Sequence, residues 1–145
     1  MSNPLLDKDF LLKLDKQRNR KTYARIIVLD LEEKPIEQIE GLVTGGTINI
    51  DGSSAVRRSC SLTVAGAQNT TITERYWALK NKFKLEIGLE NNIDAQYPSI
   101  IWFKQGIYGI SAFSMNETVN NFTISISGKD KMAYLNGEFG GNIFA

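Results

Sequence analysis

Apolar and hydroxylated residues alternate one for one over Cys60-Ser61-Leu62-Thr63-Val64. They do so again from Asn120 to Gly128, with Phe122, Ile124 and Ile126 on one parity and Thr123, Ser125 and Ser127 on the other. A two-residue period puts successive side chains on opposite sides of an extended strand, so each segment has one dry face and one wet face. Lys82 to Leu89 alternates in the same way. Several such strands separated by turns must bring their dry faces together. The expected class is therefore mainly β: an antiparallel β-barrel or sandwich with an N-terminal helix and a short C-terminal helix.

Local signals place the remaining segments. Tyr23 to Leu31 is rich in β-branched residues and ends in the charged turn Glu32-Glu33-Lys34-Pro35, where proline argues against a central strand. Gly41 to Ile50 is a second strand region, and its Gly45-Gly46 pair predicts a bulge or sharp bend. Asp51-Gly52-Ser53-Ser54 is a turn by composition. Ile100 to Phe103 is a short apolar run, and after Lys104-Gln105-Gly106 the segment Ile107 to Met115 reads as a hairpin partner across a glycine-containing turn. Glu74 to Asn81 and Lys129 to Leu135 carry helical patterns.

At the N-terminus Asn3 and Pro4 suit a helix start, and Leu5, Leu6, Phe10, Leu11 and Leu14 recur at helical spacing. That apolar face must dock on its own domain or on a neighbour. The expected organisation is a helix with a basic linker over residues 1–21 and a barrel-like domain over residues 22–145. The apolar ending Ile143-Phe144-Ala145 suggests either that the chain continues, making this the N-terminal part of a longer chain, or that a contact surface continues there.

Composition narrows the chemistry. The 145 residues include no histidine and one cysteine, which removes imidazole-based nucleophile systems, histidine-ligated metals and internal disulfides. Cys60 reads as a small core residue. Glu37, Glu40, Glu86 and Glu90 read as solvated carboxylates, with Glu86 on the wet face of its strand. The expectation is a chain that is not an enzyme and needs no cofactor or metal. A net charge of +1 gives no overall field for nucleic acid or membrane, so neither is an expected partner. With one thiol and no export signal, synthesis in a reducing cytosol is expected. Arg57-Arg58 and the cationic stretch from Lys16 to Arg25 are better suited to ion pairing across a subunit interface than to phosphate binding. Trp102 and Tyr108 offer the alternative of a face for a host-surface glycan or peptide.

A resemblance extends this reading. The leader Leu5-Leu6-Asp7-Lys8-Asp9-Phe10-Leu11 is followed by Val43-Thr44-Gly45-Gly46-Thr47-Ile48-Asn49-Ile50, then by Arg57-Arg58-Ser59-Cys60-Ser61-Leu62-Thr63-Val64. The Lys82 to Leu89 strand, Gly106-Ile107-Tyr108-Gly109-Ile110 and Thr123-Ile124-Ser125-Ile126-Ser127-Gly128-Lys129-Asp130 complete the order. This series resembles tail and baseplate proteins of bacteriophages, particularly the first β-barrel of hub-like proteins. The resemblance implies a structural role in the virion, a symmetric oligomer, and partners among copies of the chain and other tail or baseplate proteins. On these grounds the interface candidates are Leu6, Phe10, Leu14, Arg57, Arg58, Ile143 and Phe144.

Overall fold

The alternating segments pair into six antiparallel strands: β1 Thr22–Leu29, β2 Pro35–Ile50, β3 Arg58–Ala65, β4 Lys82–Glu90, β5 Ile100–Thr118 and β6 Asn121–Asp130. The computed structural model describes residues 3–17, 21–30, 32–65 and 81–135. The strands follow the order β1-β2-β3-β6-β5-β4, and β4 pairs back onto β1 to close the ring. Two three-stranded meanders, β1-β2-β3 and β4-β5-β6, thus join along β3–β6 and β1–β4. This topological repetition has no counterpart in the residue sequence.

The dry faces point into the ring. Ile26, Val28, Ile39, Val64, Leu85 and Ile124 are fully buried there, and each such side chain contributes about 1.5–3 kcal/mol of burial. Tyr108 stacks on Phe83 with centroids 5.6 Å apart, and its hydroxyl donates to the Gln105 carbonyl at 3.0 Å. Cys60 belongs to this core. Burial pushes its thiol up to about 12 and outweighs the opposing Gly128 backbone hydrogen bond.

β2 and β5 are long because each belongs to two sheets. β2 pairs with β1 from Pro35 to Leu42 and with β3 from Leu42 to Ile50. β5 pairs with β4 from Ile100 to Gly109 and with β6 from Tyr108 to Thr118. A strand that changes sheets has to bend, and the register shifts supply the bends: β2 shifts between Val43 and Gly45, and β5 between Lys104 and Gly106 and between Ile110 and Ala112. The bulge expected at the glycine pair is therefore present.

The expected turn at Lys104-Gln105-Gly106 is not. Those residues form a bulge inside one continuous β5, with Gly106 at φ 110° and both flanks held by β4. The hairpin lies instead between β5 and β6, around Val119-Asn120. β2 also starts earlier than expected, at Pro35, where a first-position proline costs no ladder hydrogen bond.

Helix α1, Lys8–Lys16, follows a single 3-10 turn at Pro4–Leu6. The Asp7 carboxylate caps it, accepting from the Phe10 N–H at 3.1 Å and the Tyr97 hydroxyl at 2.9 Å. Phe10 and Leu14 bury against Tyr97 and Ile101, with Leu89 and Phe103 beside them. Leu89 pairs with Ile101, and Ile87 with Phe103, continuing the inward-facing row of β4. The helix therefore covers the end of the ring where β4 leaves and β5 starts. Its C-terminal end is tied down by Gln17, whose amide donates to the Glu90 carbonyl at 3.1 Å. Helix α2, Met132–Leu135, is shorter than the pattern from Lys129 suggested, because β6 runs on through Asp130. Tyr134 lies over Gly109, where an added Cβ would come within 2.6 Å of the phenol oxygen.

Gly45 and Gly46 differ in what they tolerate. Gly46 has φ 138°, and a Cβ there would strike the Ser61 carbonyl oxygen, whereas a Cβ at Gly45 meets open space. Gly46→Ala should cost about 1–3 kcal/mol or more and Gly45→Ala less than about 0.5 kcal/mol, as read by urea denaturation.

Acid should loosen two junctions. The Phe10 N–H and then the Tyr97 hydroxyl hold the Asp7 carboxyl below its usual range, and Lys131 followed by Lys82 does the same for Glu33. Both native states favour the ionised group. Their stabilisation is present above the ordinary carboxylate pKa of about 4 and is lost as pH falls through the depressed native values. Denaturation midpoints measured from neutral to acid pH should fall in that range, and Asp7→Asn combined with Glu33→Gln should flatten the fall.

Candidate assembly surface

The two sheets present different outer faces. On the first, formed by β1, β4 and the leading halves of β2 and β5, cross-strand neighbours carry opposite charge. Arg25 pairs with Glu40 at 2.7 Å and with Glu86 at 3.0 Å, and Lys84 reaches Glu86 at 3.0 Å. Trp102 lies over Gly88, whose missing Cβ leaves room for the ring, and carries the Arg25 guanidinium 4.0 Å from its centroid. Glu86 points outward, as alternation requires, yet is only 7% exposed because its neighbours cover it. Burial alone would raise its carboxyl, but Lys84 and Arg25 outweigh that and hold it below the usual range.

On the second sheet, formed by β3, β6 and the trailing halves of β2 and β5, the outward parity holds Ser59, Ser61 and Thr63 on β3 and Thr123, Ser125 and Ser127 on β6. Register extends this row to Thr47 and Asn49 on β2 and to Ser114 and Asn116 on β5. Hydroxyls meet across the strands, Thr63 with Ser125 at 3.4 Å and Ser127 with Ser61 at 3.3 Å. Lys129 stands at one border of this otherwise uncharged face.

Bending leaves edges. Among the described residues, no strand pairs with β2 beyond Leu42 on the side away from β3, or with β5 beyond Gly109 on the side away from β6. The Ile110 N–H is met by the Asn81 carbonyl at 2.8 Å. Sheet edges are ordinarily protected by charge, proline or cover. The first sheet has these defences in Pro35, Glu37 and Glu40 on β2 and in Lys104 and helix α1 beside β5. The second sheet's β2 edge, Leu42 to Ile50, contains no charged residue and no proline, and its β5 edge, Ala112 to Thr118, has only Glu117. Ile50 and Met115 are exposed on these edges, and Val119 is wholly exposed at the hairpin between β5 and β6.

No protein-family model matches the chain. No curated protein matches it in sequence. Among solved structures, a chain of the lidded Francisella PdpA–VgrG complex is similar over 92% of this chain and 20% of its own length, with 12% identity and a TM-score of 0.47. This chain thus spans a fifth of that neighbour's length.

The residues singled out from sequence fall in separate places. Phe10 and Leu14, 3% and 2% exposed, spend their surface on their own barrel, while Leu6 is 80% exposed at the foot of α1. The docking demanded by the helical pattern is thus supplied largely within the chain. Arg57 and Arg58 are exposed at the start of β3; the Arg58 backbone donates to the Asp130 carboxylate at 3.0 Å and its guanidinium to the Gln105 carbonyl at 3.4 Å. Ile143 and Phe144, and the helical pattern from Glu74 apart from Asn81, lie outside the described residues. Trp102 and Tyr108 do not share an exposed face, since Tyr108 is in the core. Among the described residues no group of His, Cys, Asp or Glu is arranged to hold a metal ion. Sequence reasoning missed the two edges that have no strand partner among the described residues. The signal was the unbroken stretch without charge or proline from Leu42 to Ile50, which is also what a protected central strand would show.

Arg25→Ala should cost about 1–3 kcal/mol, because it uncovers Trp102 and leaves Glu86 with Lys84 alone. Adding Glu86→Gln should recover part of that loss in a double-mutant cycle read by urea denaturation, since the covered carboxylate then no longer needs its partner.

Proposed function

We propose that this chain is a structural component of a bacteriophage tail or baseplate, hub-like or connecting tube to baseplate, which works in the virion by assembly with copies of itself and neighbouring tail proteins and not by catalysis. The observation that carries this reading is that, among the described residues, no strand pairs with the outer side of β2 beyond Leu42 or of β5 beyond Gly109. An open edge offers a row of backbone donors and acceptors, and strand addition is the interaction that satisfies them. The two edges lie on opposite sides of the sheet and differ in sequence. The β5 edge of one copy therefore meets the β2 edge of the next, a head-to-tail contact that closes into a ring when the rotation per subunit allows. The resemblance to hub-like barrels points the same way, as it implies symmetric assembly through edges and terminal segments. Leu6, Arg57 and Arg58 remain available to other tail proteins at the periphery.

Lysine on an edge strand blocks pairing. Sedimentation velocity should show wild-type association rising with concentration, and reduced association for Ile50→Lys and for Met115→Lys, both with unchanged circular dichroism. Mixing the two variants should restore a single joint, giving heterodimers and no larger species, because each retains the edge that the other has lost. A wild type that stays monomeric over the whole soluble range, or variants that associate as wild type does, would refute edge-mediated assembly.

A further inference from the structure

We infer that the cleft beside Arg58, where β3 begins and β6 ends, is a binding site for a carboxylate presented by a segment of a partner protein. The inference rests on the assembly reading above only for the carboxylate's arriving on a protein, and it makes no use of the sheet edges. The cleft is open, with a volume of about 450 Å³, and is lined by Arg58, by the stretch of β5 from Gln105 to Tyr108 and by Asp130, Lys131 and Met132. Every residue of that lining is among those described.

A guanidinium carries five N–H donors in a planar fork. Among the described residues the Arg58 side chain uses one of its nitrogens, on the Gln105 carbonyl at 3.4 Å, and the Tyr108 hydroxyl already donates to that oxygen at 3.0 Å. The rest of the fork is left for an acceptor from outside. The cleft around it is braced, because the two Asp130 carboxylate oxygens accept from the Arg58 N–H at 3.0 Å and from the Met132 N–H at 2.9 Å. Gly106, at φ 110°, leaves the guanidinium room: a Cβ there would come within 3.4 Å of its nitrogen.

Charge and shape select a carboxylate. Arginine meets a planar carboxylate through two parallel hydrogen bonds, a match that a lysine ammonium does not offer. Lys131 adds positive charge but its ammonium is held by Glu33, while Asp130 in the lining weighs against a doubly charged phosphate. Ile107 is half-buried and Met132 is 43% exposed, giving apolar surface for the side chain next to the acid in a peptide. A free ion would make no use of it.

Peptide titration of the full chain, followed by NMR at the Arg58 side-chain N–H and the amides lining the cleft, tests this. Acetyl-Leu-Asp-Leu-amide should bind saturably with a Kd on the order of millimolar, and acetyl-Leu-Asn-Leu-amide about tenfold more weakly. Acetyl-Leu-Leu with a free carboxyl end is the second source of the same group. Saturation by either acid supports the site, and the tighter of the two identifies whether a side chain or a chain end supplies the carboxylate. Arg58→Lys, which keeps the charge and loses the fork, and Arg58→Gln should each weaken binding about tenfold with unchanged circular dichroism. Arg57→Gln removes the same charge from an exposed position outside the lining and should stay within about twofold of wild type. Equal binding of the asparagine peptide, inorganic phosphate binding as tightly at matched ionic strength, or wild-type affinity in Arg58→Gln would overturn the carboxylate site. So would an equal loss in Arg57→Gln, which would make the attraction a diffuse one. Each of these results leaves edge assembly intact, and a chain that sediments only as monomer leaves the peptide titration fully readable.

Discussion

Backbone hydrogen bonding in a sheet that must bend is the constraint on which the rest of this molecule depends. Six strands close into a ring because β2 and β5 are long enough to serve two sheets, and each gives up regular pairing at a bulge to turn the corner. Closure satisfies the interior of the ring and buries one apolar core. Among the described residues, the same bends leave the trailing half of each corner strand with a strand partner on one side only.

Charge is distributed in keeping with that difference. Ion pairs, proline and a docked helix protect the first sheet, and the Arg25–Trp102 stack with its carboxylate partners ties four strands together on its outer surface. Along the second sheet the β2 edge has no charged residue or proline, the β5 edge has only Glu117, and the face bears a row of hydroxyls. The leader helix belongs to the protected half. Its apolar face is consumed by Ile101 and Tyr97, so it acts first as a seal on its own barrel.

Much of the fold was legible because its period is short. Cys60 to Val64 and Phe122 to Ser127 announce which side chains point inward, and neighbouring strands obey the same parity. Gly45-Gly46 announced a bend because few other residues tolerate a positive φ beside a facing carbonyl. Gln105-Gly106 has the local signature of a turn for a similar reason, since a glycine that absorbs an extra residue in a strand and one that reverses the chain look alike locally. Only the pairing of both flanks with β4 separates the two cases. Pro35 to Glu40 was hidden by its proline and charges, which here mark a defended edge within a strand. Of the candidate interface residues, Leu6, Arg57 and Arg58 are exposed, whereas Phe10 and Leu14 face inward because helical periodicity records that an apolar face must be covered and not by which chain.

The sequence by itself determined the class of the chain: alternating strands with a core on one parity, a leader helix that must dock, and chemistry without an imidazole. Those properties follow from local periods and from residue types, which neighbours three or four positions apart are enough to display. Tertiary structure alone decided that the sheet closes through β1 and β4, that Glu86 is covered, and that two edges of one sheet have no strand partner among the described residues. Each of these depends on which distant segment lies alongside, and strand pairing over sixty residues leaves no periodic trace in the residues that take part.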